Sequence, residues 1–108
     1  MNYRQLGSTG IKVSEVGFGG WQLGNARDWE GMEDNQAIRL VHEALDLGCN
    51  FFDTAPNYGG GSSESLLGEA LSGRRSGAVI NSKFGHHPDN TLNFESQKIR
   101  SSVEESLR

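Results

Sequence analysis

Three side chains that can take part in proton transfer lie at the ends of two apolar segments of the sequence or shortly after them. Asp53 ends the run 50–53, Tyr58 lies in the loop after it, and Lys83 ends the run 78–83. A tyrosine phenol has a pKa of about 10, and a neighbouring ammonium group favours loss of its proton. Lys83 can provide that ammonium group, and Asp53 can balance its charge if the lysine is partly buried. The three residues predict a tyrosine acid assisted by a lysine–aspartate pair.

Each of these residues also has an ordinary structural explanation when it is taken alone. A carboxylate at a strand end often closes a turn, a loop tyrosine often lies on the surface, and a lysine that ends a strand is often solvated. The hypothesis of a shared site therefore depends on the elements that bring the three residues together.

Short strands are predicted before and between these residues. A β-hairpin is expected over residues 3–13, because two alternating runs flank the turn-forming segment Gly7–Gly10. The hairpin would act as a lid or a plug. Buried strands are expected at residues 16–19, 50–53 and 78–83, since each is a short run with apolar side chains.

Helical periodicity follows each of the three buried strands. The first helix is expected over about residues 35–47 and ends at Gly48. Its cap is expected at Asp34 or Asn35, and that of the second helix at Ser62 or Ser63. The second helix has an apolar face that consists of Leu66, Leu67, Ala70 and Leu71. The third helix has an apolar stripe that consists of Ile99, Val103 and Leu107.

The repeated order of strand, loop and helix predicts parallel strands joined by right-handed crossovers. Two α/β architectures satisfy this order, a (β/α)8 TIM barrel and a doubly wound sheet. Both place functional side chains at the carboxyl ends of their strands, where Asp53 and Lys83 are expected. A barrel needs roughly 200 residues or more. The 108 residues would therefore form a hairpin and about three of the eight units.

Composition limits the chain to one small core and to few classes of partner. The chain is 34% hydrophobic with 15 glycines, and its formal net charge of −4 gives no general attraction to nucleic acid or anionic membranes. No apolar segment approaches the roughly 20 residues of a membrane-spanning helix. The N-terminal segment lacks the apolar centre of a signal peptide. Cys49 is the single cysteine, so a reducing, cytoplasmic location is expected.

Four stretches of the sequence closely resemble the aldo-keto reductase family. They are Tyr3-Arg4-x-Leu6-Gly7-x-x-Gly10-x-x-Val13-Ser14, Gly17-x-Gly19-Gly20-Trp21, Asn50-Phe51-Phe52-Asp53-Thr54-Ala55-x-x-Tyr58-Gly59-x-Gly61-x-Ser63-Glu64-x-x-Leu67-Gly68-x-Ala70-Leu71 and Ser82-Lys83-x-Gly85. The resemblance covers nearly the whole chain, and the third stretch is its most specific part.

The resemblance implies a (β/α)8 barrel that reduces aldehydes or ketones, or oxidises sugars, by direct hydride transfer with NADPH or NADH. Tyr58 matches the family's general acid, and Asp53 and Lys83 match the catalytic residues that assist it. Gly20 and Trp21 match positions beside the nicotinamide, where Asp53 also lines the cofactor site. Trp21 and Tyr58 match positions in the substrate pocket.

Two features of the family would lie beyond Arg108. One is a fourth catalytic residue, a histidine at the end of the fourth strand, and the other is the set of later loops that hold the cofactor phosphates. His86 and His87 follow the third strand, so they do not match that histidine. The residues that set substrate identity and the choice between NADP and NAD are therefore expected in those later loops.

Other kinds of site find weaker support in the sequence. Gly59–Ser63 precedes a helix and can in principle cradle a phosphate, but no Gly-Lys-Ser/Thr ending follows it. No metal site is expected, because the histidines and Cys49 lack the usual ligand spacings. Trp29 and Phe84 can either pack or contact a substrate.

We expect residues 1–108 to be the N-terminal part of one barrel domain that is incomplete and inactive by itself. Exposed strand edges and barrel-facing apolar side chains would then favour self-association. The alternative is a truncated remnant that acts as a non-catalytic binding or assembly module. A fourth strand, a histidine and phosphate-binding loops encoded in frame after Arg108 would exclude that alternative.

Overall fold

Short strands and helices alternate along the chain in the computed structural model, which describes residues 1–108. The strands are β1 (Tyr3–Gln5), β2 (Lys12–Ser14), β3 (Phe18–Gly19), β4 (Phe51–Asp53) and β5 (Val79–Asn81). The helices are α1 (Asp34–Asp46), α2 (Ser62–Ala70) and α3 (Ser96–Ser106), with 3-10 turns at Tyr58–Gly61 and Arg75–Gly77. The expected hairpin and β/α units are both present.

The hairpin of β1 and β2 lies against the amino end of β4. The two strands are antiparallel, with Tyr3 opposite Ser14. Asn50, which precedes β4, accepts a hydrogen bond from the Ser14 backbone N–H at 2.7 Å and donates one to the Lys12 carbonyl at 3.1 Å. Asp53 is at the other end of the same strand. The hairpin is therefore placed as a plug at the amino end and does not cover Asp53.

A second sheet carries the candidate site, and its three strands are parallel in the order β3-β4-β5. Phe52 in the central strand pairs with Phe18 on one side and with Ile80 on the other. This arrangement confirms the predicted parallel units. The strands are shorter than expected, so Lys83 lies in the segment just after β5 instead of within it.

The helices begin differently from the prediction. Glu33 is the N-cap of α1 and makes no side-chain capping bond, while Asp34 is already helical. Gly61, with a φ of 103°, is the N-cap of α2, so Ser62 and Ser63 lie in its first turn. The predicted side-chain caps are therefore wrong. In the second helix the reason is that Ser63 turns its hydroxyl across to Gly20 and Thr54, which directly follow β3 and β4, instead of to its own backbone.

The core lies between the parallel sheet and the first two helices. Phe52 is fully buried, and α1 ends as predicted at Gly48, whose φ of 94° lets its N–H bond to the Leu45 carbonyl. The buried cluster consists of Leu23, Ala37, Val41, Phe52, Leu66, Leu67, Ala70, Leu71 and Ala78. The predicted apolar face of α2 is thus entirely buried.

The third helix forms where predicted, but of its apolar stripe only Ile99 is partly buried. Val103 is 47% exposed and Leu107 is 78% exposed, while the polar Ser102 is the buried residue of the helix. The helix therefore presents apolar surface to solvent. None of the three helices combines the length and the hydropathy that a membrane crossing requires.

Candidate active site

Asp53 and Lys83 form an ion pair at the carboxyl ends of β4 and β5. The Lys83 ammonium donates to both carboxylate oxygens, at 3.0 Å to Oδ1 and 2.9 Å to Oδ2. It also donates to the Thr54 carbonyl at 2.9 Å. The two side chains are 44% and 43% exposed, so water can reach the pair. Parallel strands with neighbouring carboxyl ends bring together two residues that are thirty positions apart in the sequence.

Tyr58 lies beside this ion pair. The Lys83 Nζ atom is 4.9 Å from the centroid of the Tyr58 ring, within the range of a cation–π contact. Partial burial opposes the charge of Lys83, but the hydrogen bond to Asp53 and the nearby Tyr58 outweigh it and raise the pKa of Lys83. The lysine therefore stays positively charged at neutral pH and presents that charge to the tyrosine.

Asn81 is a fourth polar group of the site, and the sequence pattern did not single it out. Its side-chain amide donates to Oδ1 of Asp53 at 2.6 Å. The register of β4 and β5 places Asn81 directly opposite Asp53. The sequence does show a polar residue, Asn81, at the end of the strand that neighbours Asp53. Its position opposite Asp53 depends on the strand register, which the sequence did not specify.

Gly20 connects the end of β3 to the end of β4. Its N–H donates to the Asp53 carbonyl at 2.7 Å. A Cβ atom at this position would lie 2.9 Å from that same oxygen and 2.9 Å from the Ser63 hydroxyl. Only a glycine allows this approach, so Gly20 fixes the backbone that carries Asp53.

Trp21 and Tyr58 line one cleft, which has a volume of about 420 Å³. Trp21 is 41% exposed, and its ring contacts Trp29 edge-on, with the centroids 5.6 Å apart. The cleft also includes the backbone of Gly59 and Gly60. The structure thus places both predicted pocket residues on one concave surface.

His86 and His87 do not join this group of residues. They lie in the loop after Lys83, where His86 forms an isolated antiparallel bridge with Leu92. Phe84 is 50% exposed in the preceding segment. Tyr58, Lys83, Asp53 and Asn81 therefore constitute the candidate site, with Gly20 and Trp21 at its border.

Comparison with known proteins relates the whole chain to one family. The model of the aldo/keto reductase family matches residues 15–108. L-galactose dehydrogenase from Arabidopsis thaliana is 42% identical over 96% of this chain. A putative aldo-keto reductase from Pseudomonas aeruginosa superposes on 97% of this chain with a TM-score of 0.84 and 41% identity. An aldo-keto reductase from Klebsiella pneumoniae, solved in complex with NADPH, superposes on 91% with a TM-score of 0.71 and 25% identity.

The shared region is only part of those proteins. The chain covers 33% of the Arabidopsis dehydrogenase, 40% of the Pseudomonas structure and 31% of the Klebsiella structure. It therefore spans about a third of the length of the curated relatives that it matches. Within that region the hairpin and the parallel β/α units follow part of the aldo-keto reductase barrel. The extent of the family match and the identity to these relatives show that the chain belongs to the aldo/keto reductase family.

Proposed function

We propose that this chain provides the proton-donating part of an NAD(P)H-dependent oxidoreductase that reduces aldehydes or ketones or oxidises sugars. The observation that carries the proposal is the contact of Lys83 with both Asp53 and Tyr58, and Tyr58 in turn lines the cleft that contains Trp21. Family membership supplies the reaction class. Residues 1–108 would be one part of a single barrel domain that further β/α units complete.

The proton chemistry centres on the Tyr58 phenol. When hydride reaches the carbonyl carbon of a substrate, negative charge develops on the carbonyl oxygen, and a phenol beside that oxygen can stabilise and protonate it. Lys83 would stabilise the negative charge left on Tyr58, because its ammonium lies close to the ring. Asp53 and the Thr54 carbonyl hold this ammonium in place. In the oxidation of an alcohol the same groups would act in reverse, with the Tyr58 oxygen accepting the proton.

The residues present fit the nicotinamide end of a dinucleotide cofactor, NADPH or NADH. The exposed ring of Trp21 and the exposed carboxylate of Asp53 border the same edge of the sheet, where Gly20 brings β3 close to β4. An aromatic face suits stacking and a carboxylate suits a hydrogen bond to an amide or a hydroxyl group. A bound cofactor would supply the hydride. The groups that hold its phosphates would come from later β/α units.

The proposal is tested with the full-length product of the gene that encodes this chain, in parallel with residues 1–108 alone. Oxidation of NADPH and of NADH is followed by absorbance with a panel of aldehydes, ketones and oxidised sugars, and cofactor binding by quenching of tryptophan fluorescence. We expect turnover by the full-length product and none by residues 1–108. Failure of the full-length product to bind either cofactor would contradict the proposal, and turnover by residues 1–108 would contradict the assignment of cofactor binding to later units.

A second role, as a binding or assembly module without turnover, is favoured by the apolar surface of α3, where Val103 and Leu107 are exposed. A full-length product that ends at Arg108 and binds neither cofactor would support this role over the enzymatic one. For either role we propose a cytoplasmic location, since Cys49 is buried as a free thiol.

A further inference from the structure

The first turn of α2 contacts the ends of all three parallel strands. Ser63 is fully buried, and its hydroxyl donates to the Gly20 carbonyl at 2.6 Å. The same hydroxyl lies 2.8 Å from Oγ1 of Thr54, whose carbonyl accepts a hydrogen bond from the Lys83 ammonium. Ser63 thus connects the end of β3 with Thr54, which accepts a hydrogen bond from Lys83.

Glu64 makes the corresponding contact with the segment that directly follows β5. Its Oε1 atom accepts a hydrogen bond from the Ser82 hydroxyl at 2.5 Å. Ser82 directly precedes Lys83 in the segment that leaves β5. The Ser106 hydroxyl of α3 donates to the same carboxylate, at 2.9 Å to Oε1 and 3.1 Å to Oε2. Glu64 is therefore shared between the backbone next to Lys83 and the third helix.

An ordinary role at a helix start does not account for this geometry. A glutamate at the third helical position often bonds back to the N–H of the N-cap residue and relieves the unpaired donors of the first turn. Gly61 is that N-cap, and it receives no side-chain bond. A favourable interaction with the helix dipole would need only an acidic group in this turn, without contact to Ser82. The carboxylate instead reaches across to the segment that carries Lys83.

We propose that Glu64 is a positioning residue that acts through Ser82 to hold Lys83 against Asp53 and Tyr58. This inference rests on the proposed function and deepens it. Glu64 does not react itself, but it places the Lys83 ammonium on which proton transfer depends. Lys83 is the first residue after Ser82, so a shift of Ser82 moves the base of its long side chain. A displacement of about 1 Å in a catalytic group is enough to lower a rate by about a hundredfold.

The test measures the chemical reactivity of Lys83 in the full-length gene product, without cofactor or substrate. Acetic anhydride at limiting concentration acetylates only the neutral amine, and mass spectrometry gives the extent at each lysine. The exposed Lys12 and Lys98 serve as internal references. In Glu64→Leu we expect the ratio of acetylation at Lys83 to that at the references to rise by at least about threefold, which corresponds to half a pKa unit.

Three further variants separate positioning from a general structural effect. Ser82→Ala removes the hydroxyl that links Glu64 to Lys83, so it should reproduce the rise. Ser106→Ala removes only the link to α3 and should leave the ratio unchanged. Glu64→Gln keeps one acceptor oxygen and should give a smaller rise than Glu64→Leu. Circular dichroism melting shows whether each variant is folded, and if Glu64→Leu is not, Ser82→Ala carries the test.

An unchanged ratio in both Glu64→Leu and Ser82→Ala would overturn the inference, as would an equal rise in Ser106→Ala. Turnover is a separate readout. If the full-length product reduces carbonyls, Ser82→Ala should lower kcat and leave KM within about twofold, as expected for a group that acts after substrate binds. If the wild type has no turnover but acetylation follows the expected pattern, the proposed function fails while the positioning role stands.

Discussion

Asp53 and Asn81 lie directly opposite each other at the ends of β4 and β5, and the Asn81 amide donates to the Asp53 carboxylate at 2.6 Å. The Oδ1 atom that accepts this bond also accepts one from Lys83 at 3.0 Å. Asn81 therefore restricts the orientation of the carboxylate that holds Lys83. An asparagine suits the position because its amide donates without adding charge.

Replacement of Asn81 should weaken the site in two graded steps. Asn81→Ala should lower kcat of the full-length product by roughly tenfold, because a hydrogen bond to a charged group contributes about 1.5–3 kcal/mol and this exposed bond is expected at the lower end of that range. Asn81→Asp should lower it further, since a second carboxylate beside Asp53 competes for Lys83 and repels its partner. Steady-state kinetics measure both, with Asn35→Ala on the exposed start of α1 as the control. Equal activity of the three variants would exclude a role for Asn81.

Removal of the Tyr58 hydroxyl should abolish most turnover without loss of cofactor binding. In Tyr58→Phe the ring remains to contact Lys83, but no proton donor is present, and general acid catalysis is typically worth about a hundredfold to ten-thousandfold. We expect kcat of the full-length product to fall within that range. Fluorescence titration should give an unchanged Kd for NADPH. A loss of less than about threefold would show that another group donates the proton.

The pair of Lys83 and Asp53 should contribute to stability in a defined range of pH. Because folding raises the pKa of Lys83, its contribution is fully present below the unfolded value of about 10.5 and is lost as pH rises through the folded value. Lys83→Met should therefore lower the Tm by a constant amount between about pH 7 and 10, and by less above that range. The effect should be small, since the pair is partly exposed. A Tm difference that widens above about pH 10 would contradict the assignment.

Gly59 should tolerate alanine poorly, whereas Gly68 should accept it. A Cβ atom at Gly59 would lie 2.8 Å from the Gly24 carbonyl oxygen, and the φ of this residue is 59°. Gly59→Ala should destabilise by about 1–3 kcal/mol, and it should also disturb the cleft beside Tyr58. Gly68 lies inside α2 with open space around it, so Gly68→Ala should stabilise by about 1 kcal/mol. Denaturant unfolding of both variants measures the change in the free energy of unfolding. Similar changes in Gly59→Ala and Gly68→Ala would contradict this prediction.

Residues 1–108 alone should self-associate. The exposed stripe of α3 and the outer edges of β3 and β5 offer apolar surface and unpaired backbone groups. Sedimentation velocity should show mass that increases with concentration. The double variant Val103→Lys, Leu107→Lys should reduce the association, whereas Ser101→Lys on the same helix should not. A compact monomer at high concentration would contradict this prediction.

Much of the architecture follows from local pattern. Apolar runs and helical spacing predicted the hairpin and the three β/α units, because each element buries one face and that requirement is visible in a short window of sequence. The pairing of Asp53 with Lys83 also followed, since parallel strands have neighbouring carboxyl ends. The helix caps did not follow, and in α2 this is because the Ser63 hydroxyl bonds to the Gly20 carbonyl across the fold instead of within its own turn.

The sequence by itself thus determined the family and the meeting of Asp53, Tyr58 and Lys83 at the carboxyl ends of the parallel strands. The tertiary structure decided which groups hold them there. Asn81 depends on strand register, and Glu64 depends on how α2 packs over the strand ends. Register and packing are set by contacts between residues far apart in the chain, and no local pattern encodes those distances.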